Sequence, residues 1–341
     1  MRVLAVGGTG FIGAPLVRRL HAAGHEVTVY HRGLHDPDLP EGVRRVRSES
    51  AGIPVTGYPE AIRRVTWDVI VHLTLLGAGD AAAAVAAFRG RAGRLVVVSS
   101  GDVYAAYGGL LGLEVVGDLG ETLSEDAALR SVLYPYGRRV PEGPWGELID
   151  YEKILAERIA GAAPDLPATI LRLPAVYGPG GRQHRFYPWI RRMDEGREVI
   201  LLSESQAGFR FTHGYVDNVA AAIACAATHP AASHRVFNLG EAETPTGAER
   251  VRALGRSAGW RGRVVVVPDP KLPEHLGDSL HYVTDLALDT RRIRTELGYH
   301  EPIPADAALR RTVDWERANP PLSVDPARFN YAAEDAALSA P

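Results

Sequence analysis

The chain has 341 residues and a single cysteine, Cys225. One cysteine closes no intrachain disulfide, so no covalent framework is available, and the usage fits a reducing compartment. Cys225 lies in the small apolar run Ala221–Ala227, where it reads as a packed core residue and not as a nucleophile. Long hydrophobic runs are also missing. No apolar stretch approaches the ~20 residues that span a bilayer, and the first residues run straight into a strand-like segment without a leader-type apolar core. One-sided charge is missing too: 38 Lys and Arg stand against 41 Asp and Glu, a net charge of −3. So weak a field attracts neither nucleic acid nor an anionic membrane. Basic clusters at Arg44–Arg47 and Arg291–Arg294 read as solvated faces. The histidines show no metal-site spacing, so no metal is expected. What remains is a cytoplasmic globular protein, with 46% hydrophobic residues to build a core.

What is present is alternation. Short apolar runs at Val3–Val6, Glu26–Tyr30, Val43–Val46, Val69–Leu73, Leu95–Ser99 and Thr169–Leu173 read as strands. Helical patterns at Ile12–Ala23, Ala81–Arg89 and Tyr151–Ala160 lie between them. This pattern predicts an α/β fold: a doubly wound parallel sheet of Rossmann type with a smaller C-terminal α/β substrate domain. The expected boundaries are 1–173 for the first domain, with 212–230 returning to it, and 174–330 for the discontinuous second. Val236–Gly240 and Val264–Val267 read as strands of that second domain. Residues 331–341 read as a flexible tail. The segment Tyr104–Leu148, rich in Gly and Pro and without periodicity, is long enough to be a functional loop.

Gly7-Gly8-Thr9-Gly10-Phe11-Ile12-Gly13 joins the first strand to the first helix. Gly7 permits the tight turn, Gly10 lets backbone approach a phosphate, and Gly13 lets helix and strand pack closely. The exposed N–H groups and the helix dipole then attract the pyrophosphate of a dinucleotide. At the end of the second strand the chain reads Tyr30-His31-Arg32. An NAD site usually has an acidic residue here for the ribose hydroxyls, whereas a guanidinium binds a 2′-phosphate. The cofactor is therefore NADP or NAD, with His31 and Arg32 favouring NADP.

These motifs carry a resemblance. Together with Asp68–Leu73, Val97–Tyr104, Leu171–Pro179 and Gly214–Ala220, the Gly7–Gly13 turn resembles the extended short-chain dehydrogenases/reductases of the NAD-dependent epimerase/dehydratase family. The resemblance runs from Met1 to about Tyr299. It places Thr9, Phe11, Ile12, Leu73 and Pro174 along the cofactor, Ser100 on the reacting oxygen, and Lys153 on the nicotinamide ribose. In relatives the catalytic tyrosine stands four residues before that lysine. Here that residue is Ile149. Tyr151 is two residues away from Lys153, and at ~100° per residue it lies about 160° around a helix. It is expected to point away from Ser100 unless the helix begins later.

With the tyrosine missing, Asp102 is the first candidate to move a proton, since related dehydratases place an acidic residue there. Its competing reading is a cap on the following turn. Tyr134 and Tyr136 of the long loop are further candidates. Tyr104, Tyr136, His184, Arg185, Arg210 and His213 are candidate contacts for a small hydroxylated or carbonyl substrate. Ala175 and Phe211 depart from the residues that nucleotide-sugar relatives use, which weakens a nucleotide-sugar assignment. The expected function is an NAD(P)-dependent epimerase/dehydratase-like oxidoreductase or isomerase that does not use the usual Tyr–Lys mechanism. The alternative is a catalytically silent NAD(P)-binding sensor. An RNA-associated relative of this fold is a third reading, opposed by the net charge. A homodimer stays open.

Overall fold

The structure, a computed structural model, describes residues 1–35, 37–48, 53–137 and 150–339. In chain order the first half carries β1 (Arg2–Val6), α1 (Gly13–Ala22), β2 (Glu26–His31), β3 (Arg44–Arg47), α2 (Glu60–Arg63), β4 (Val69–His72), α3 (Ala78–Phe88), β5 (Leu95–Ser100) and α4 (Ala105–Leu110). Then follow α5 (Lys153–Gly161), β6 (Ala168–Leu173), β7 (Ala175–Tyr177), α6 (Tyr187–Asp194), β8 (Val199–Ser203), α7 (Glu204–Gly208), β9 (His213–Tyr215) and α8 (Val216–Thr228). The chain closes with β10 (Arg235–Asn238), α9 (Gly247–Ala258), β11 (Arg263–Val267), α10 (Arg291–Leu297), α11 (Ala305–Ala318) and α12 (Tyr331–Ser339).

Seven strands form one parallel sheet in the order β10-β6-β5-β4-β1-β2-β3. Strand periodicity sorts the buried side chains. Val3 and Ala5 of β1 face a core shared with Leu16, Leu20 and Ile223, on the side covered by α1 and α8. Leu4 and Val6 face Ile62, Phe88 and Ala156, on the side covered by α3 and α5. Both faces are dry, which is why these strands read as continuous apolar runs instead of alternating ones. This is the doubly wound Rossmann arrangement expected from the sequence. The order reverses between β1 and β4, so the crevice beyond their carboxyl ends is where such sheets bind ligands.

Two expectations are corrected. Arg235–Asn238 is not a strand of the second lobe: β10 pairs with β6, Val236 opposite Ile170, and extends the main sheet. Residues 331–339 are not a loose tail. They form α12, whose Glu334 is buried and accepts from Arg192 Nη2 at 2.7 Å. A guanidinium 4% exposed and a carboxylate 1% exposed hold the helix down. The sequence signal, an Ala- and Glu-rich terminus, said nothing about a partner 142 residues away. The smaller lobe packs α6, α9 and α11 around Phe186, Ile190, Val251, Leu254 and Val313, beside the pairs β8–β11 and β7–β9. No helix among the described residues is long and apolar enough to cross a membrane.

Candidate active site

The turn after β1 is built as its glycines require. Gly7 sits at φ 85° in the left-handed region, where a side chain is strained. A Cβ on Gly13 would lie 2.5 Å from the Gly7 carbonyl oxygen and 2.7 Å from Gly8 Cα, a backbone clash with nowhere to go. A Cβ on Gly10 would meet nothing closer than the Gly7 carbonyl oxygen at 3.8 Å. Gly10 thus borders an open cradle at the start of α1, the shape and polarity a pyrophosphate fits. Thr9, Gly10, His31 and Arg32 line a small cavity of about 140 Å³ on the adenosine side. Leu73 follows β4 in the crevice, its amide donating to the Val6 carbonyl at 2.9 Å. The two glycines should therefore separate. Gly10→Val is expected to abolish dinucleotide binding with an unchanged melting midpoint, whereas Gly13→Val lowers the midpoint itself. Fluorescence titration and thermal unfolding read both; full binding by a folded Gly10→Val protein would reject the cradle.

Strand alternation sets which serine of β5 faces the crevice. Ser99 points into the protein and donates to Glu157 Oε1 at 2.5 Å, and Glu157 pairs with Arg172 at 2.8 Å. Ser100, one residue on, faces the opposite side and lines the crevice. Its Oγ accepts from the Asp102 amide at 3.3 Å. The turn is therefore capped by Ser100, and the competing reading of Asp102 as a cap is corrected. The freed carboxylate of Asp102 accepts from Tyr151 at 2.7 Å and from Tyr136 at 3.2 Å, both on Oδ2. The Tyr107 and Tyr136 hydroxyls lie 3.0 Å apart. Asp102 Oδ1 is buried with no hydrogen-bond partner among the described residues.

Tyr151 reaches this site because α5 begins later than its sequence pattern suggests, and the expectation that it points away from the serine strand is corrected. Glu152 caps the helix: its Oε1 accepts from the Ile154 amide at 2.9 Å, its backbone is extended at φ −154°, ψ 92°, and Lys153 is the first helical residue. Tyr151 therefore precedes the helix, and helical angular bookkeeping does not apply to it. Glu152 is itself fixed by Arg130, with Nη2 to Oε1 at 3.2 Å and both side chains fully buried. Arg130 Nε also donates to the Asp102 carbonyl at 2.5 Å. One guanidinium thus ties the turn that carries Asp102 to the residue between Tyr151 and Lys153. Nothing in the sequence singled out Arg130, Glu152 or Tyr107; they come from an aperiodic segment or flank a helix start, where no spacing rule applies. Ile149 lies outside the described residues.

Lys153 donates its Nζ to the carbonyls of Leu75 at 2.5 Å and Val98 at 2.9 Å, and stands 5.5 Å from the centre of the Tyr151 ring. Burial lowers its pKa to about 8, against the opposing pull of Asp102, Asp80 and Glu157. Burial likewise raises the Asp102 carboxyl above the usual carboxylate range, although Tyr151, Arg130 and Lys153 pull the other way. The Tyr151 phenol is pushed well above its ordinary value, first by burial and then by Asp102.

The remaining candidates divide. Phe11, Ile12, Ser100, Tyr151, Lys153 and Pro174 line a cavity of about 370 Å³. Ser100, Asp102, Tyr107, Tyr136, Pro174 and Arg185 line a neighbouring cavity of about 780 Å³, so the two meet at Ser100 and Pro174. Tyr104 is no substrate contact: it is fully buried, donates to Asn238 Oδ1 at 2.6 Å and accepts from Arg172. Arg210 is exposed, its amide donating to Asp285. Tyr134 is 45% exposed and presents only its amide to Glu152, so its phenol is not at the site. His184 pairs with Glu316 at 2.6 Å and stacks on Trp315, and it lines the smaller cavity. His213 borders a third cavity, hydrogen-bonded to the Phe211 carbonyl; burial and then Arg250 lower its pKa to about 3, so the ring is neutral.

Residues 134–240 match the NAD dependent epimerase/dehydratase family. The 2'-dehydrokanamycin reductase of Streptomyces kanamyceticus is 30% identical over 231 residues, covering 66% of this chain and 57% of that protein. The chain thus spans little more than half the length of that relative. Among solved structures, the UDP-glucose 4-epimerase of Thermus thermophilus, in complex with NAD, superposes with a TM-score of 0.62 at 23% identity, covering 94% of this chain and 100% of that one. dTDP-glucose 4,6-dehydratase of Bacillus anthracis, also in complex with NAD, gives 0.64 at 19% identity, covering 94% and 97%. At those identities the likeness concerns the fold.

Proposed function

We propose that this chain, which carries a segment of the NAD dependent epimerase/dehydratase family, is a nicotinamide-dependent oxidoreductase acting on a carbonyl or secondary alcohol, with Tyr151 and Asp102 moving the proton. The observation that carries the proposal is the 2.7 Å contact between the Tyr151 hydroxyl and Asp102 Oδ2, beside Ser100 at the mouth of β5. A protein that only senses dinucleotide has no need of a phenol–carboxylate pair at the wall between two cavities, so the contact favours an enzyme. A nicotinamide bound along this edge supplies or accepts the hydride.

The protein's own groups handle the oxygen and its proton. Ser100 Oγ donates to the substrate oxygen. When Asp102 is ionised, the phenolic proton of Tyr151 is turned toward Oδ2 and away from substrate. When Asp102 is protonated, its O–H donates to the phenol oxygen, and the phenolic proton is free to point at the substrate oxygen. In the reducing direction that proton passes to the oxygen, and Asp102 replaces it on Tyr151. Asp102 itself lines the larger cavity beside Tyr136 and Tyr107, and regains its proton from solvent there. Lys153, held by two carbonyls, fixes the start of α5 and would hold the ribose of a bound nicotinamide.

The cofactor preference rests on Arg32. A guanidinium at the adenosine-side cavity suits the 2′-phosphate of NADP, and the two positions at the end of β2 carry His31 and Arg32 in place of an acidic residue. Arg32→Asp is expected to weaken NADPH binding by at least ~1.5–3 kcal/mol, the worth of the lost charge-assisted hydrogen bond, and to leave NADH binding equal or tighter, since a carboxylate here suits the ribose hydroxyls. Dissociation constants for both cofactors measure this. Tighter binding of NADH than NADPH by the unaltered protein would reverse the assignment.

A further inference from the structure

The larger cavity has an uneven lining. The polar groups at its inner end are Ser100, Asp102 and the paired hydroxyls of Tyr107 and Tyr136, where the proposed reaction places the substrate oxygen. The body of the cavity is walled by Leu110, Leu173, Leu280, Leu286, Leu288 and Phe211. Ser279 and His281 are exposed at the rim, and Gln183 and Arg185 stand where this cavity meets the next. Apart from Asp102, no carboxylate of the described residues lines it.

We infer that the substrate of this site is a ketone or secondary alcohol with an apolar body, not a sugar or a polyamine; the inference rests on the redox reading above and names its substrate class. A sugar carries a hydroxyl on nearly every carbon. Seated with its reacting carbon at Ser100, it would press those hydroxyls against leucine side chains that have no hydrogen-bonding atom. Each buried unpaired hydroxyl costs on the order of tenfold or more in affinity. A cationic substrate would find a single carboxyl among the described residues that line the cavity, with Arg185 opposing it. A hydrocarbon body reverses both terms. It displaces water from the leucine walls, and its one oxygen finds its donors at the polar end. A volume of about 780 Å³ accommodates a body of ten carbons or more.

The test uses three probes: 2-decalone, a bicyclic apolar ketone; L-sorbose, a polyhydroxylated ketone of nearly the same heavy-atom count; and kanamycin, a polycationic sugar. Binding is followed by calorimetry and turnover by NADPH and NADH oxidation, on the full chain and on Leu280→Ser and Phe211→Ser. Both substituted residues are only partly buried; Phe211 also packs against the cluster that holds Leu286 and Leu288, so the melting midpoint of each variant is measured beside its binding. We expect 2-decalone to bind at least tenfold tighter than either hydrophilic probe, and each variant to weaken it on the order of tenfold. Tighter binding of L-sorbose or kanamycin, or 2-decalone binding unaffected by both variants, would overturn the inference. Binding of 2-decalone that depends on Leu280 and Phe211 without any turnover would support the apolar pocket and sink the redox reading on which it rests.

Discussion

Tyr151→Phe is expected to lower turnover by about 10²–10⁴, the usual worth of general acid–base assistance, while dinucleotide binding and the melting midpoint stay as they are. The substitution removes one oxygen and nothing else. The ring keeps its packing against Tyr136, 5.2 Å away between centroids, and its place near Lys153. What disappears is the hydroxyl that donates to Asp102 Oδ2 across 2.7 Å. Asp102 loses a donor, but Tyr136 still reaches it at 3.2 Å, so the carboxyl is not stranded. Tyr134→Phe is the matched control. Its phenol is exposed and remote, and turnover should not change. Near-native turnover in Tyr151→Phe would mean that another group, or water, delivers the proton.

The second large effect is structural. Arg130→Met should destabilise the protein by about 3–5 kcal/mol, because it leaves the Glu152 carboxylate buried without its countercharge. The guanidinium also holds the carbonyls of Asp102 and Val132, which lose their donor. The accompanying Glu152→Gln change restores much of that stability, since the charge to be buried is gone and the amide oxygen still accepts from the Ile154 backbone. Turnover is expected to fall further than the population of unfolded chain explains in Arg130→Met, because Asp102 and Tyr151 then lose their common tether. Chemical unfolding at fixed ionic strength measures the first effect, and kcat measured well below the melting range measures the second. An Arg130→Met protein as stable as the parent would show that the pair contributes nothing.

Much of the fold was legible. Continuous Val and Leu runs marked β1, β4, β5 and β6 as strands covered on both faces, and the Gly7–Gly13 spacing located the cradle. β10 escaped because Arg235–Asn238 is short and follows a long excursion, and a sequence pattern does not say which sheet a strand joins. α12 escaped because its anchors, Arg192, Arg197 and Glu195, are all distant in the sequence. The site was legible in part: Ser100, Asp102 and Lys153 were placed by motif. Tyr151 was set aside because helical angles were applied to a residue that precedes the helix. The helix start depends on Glu152 and, through it, on Arg130, a contact between residues 22 apart in an aperiodic stretch. Local pattern carries no information about such a pairing.

The central claim is that Asp102 must hold a proton for Tyr151 to give one up. Its most direct test is the pH dependence of kcat/KM in the reducing direction for the parent protein and for Asp102→Asn. The groups facing Asp102 are Tyr107, Tyr136 and Tyr151, with Arg130 and Lys153 adding positive potential. Burial raises the folded-state carboxyl above the ordinary carboxylate range, so the active, protonated form dominates below that raised pKa. The account predicts that the parent's rate is flat at low pH and falls as pH rises through it. Asp102→Asn cannot ionise, and its profile should lose that falling limb. A falling limb of the same midpoint in Asp102→Asn would contradict the account.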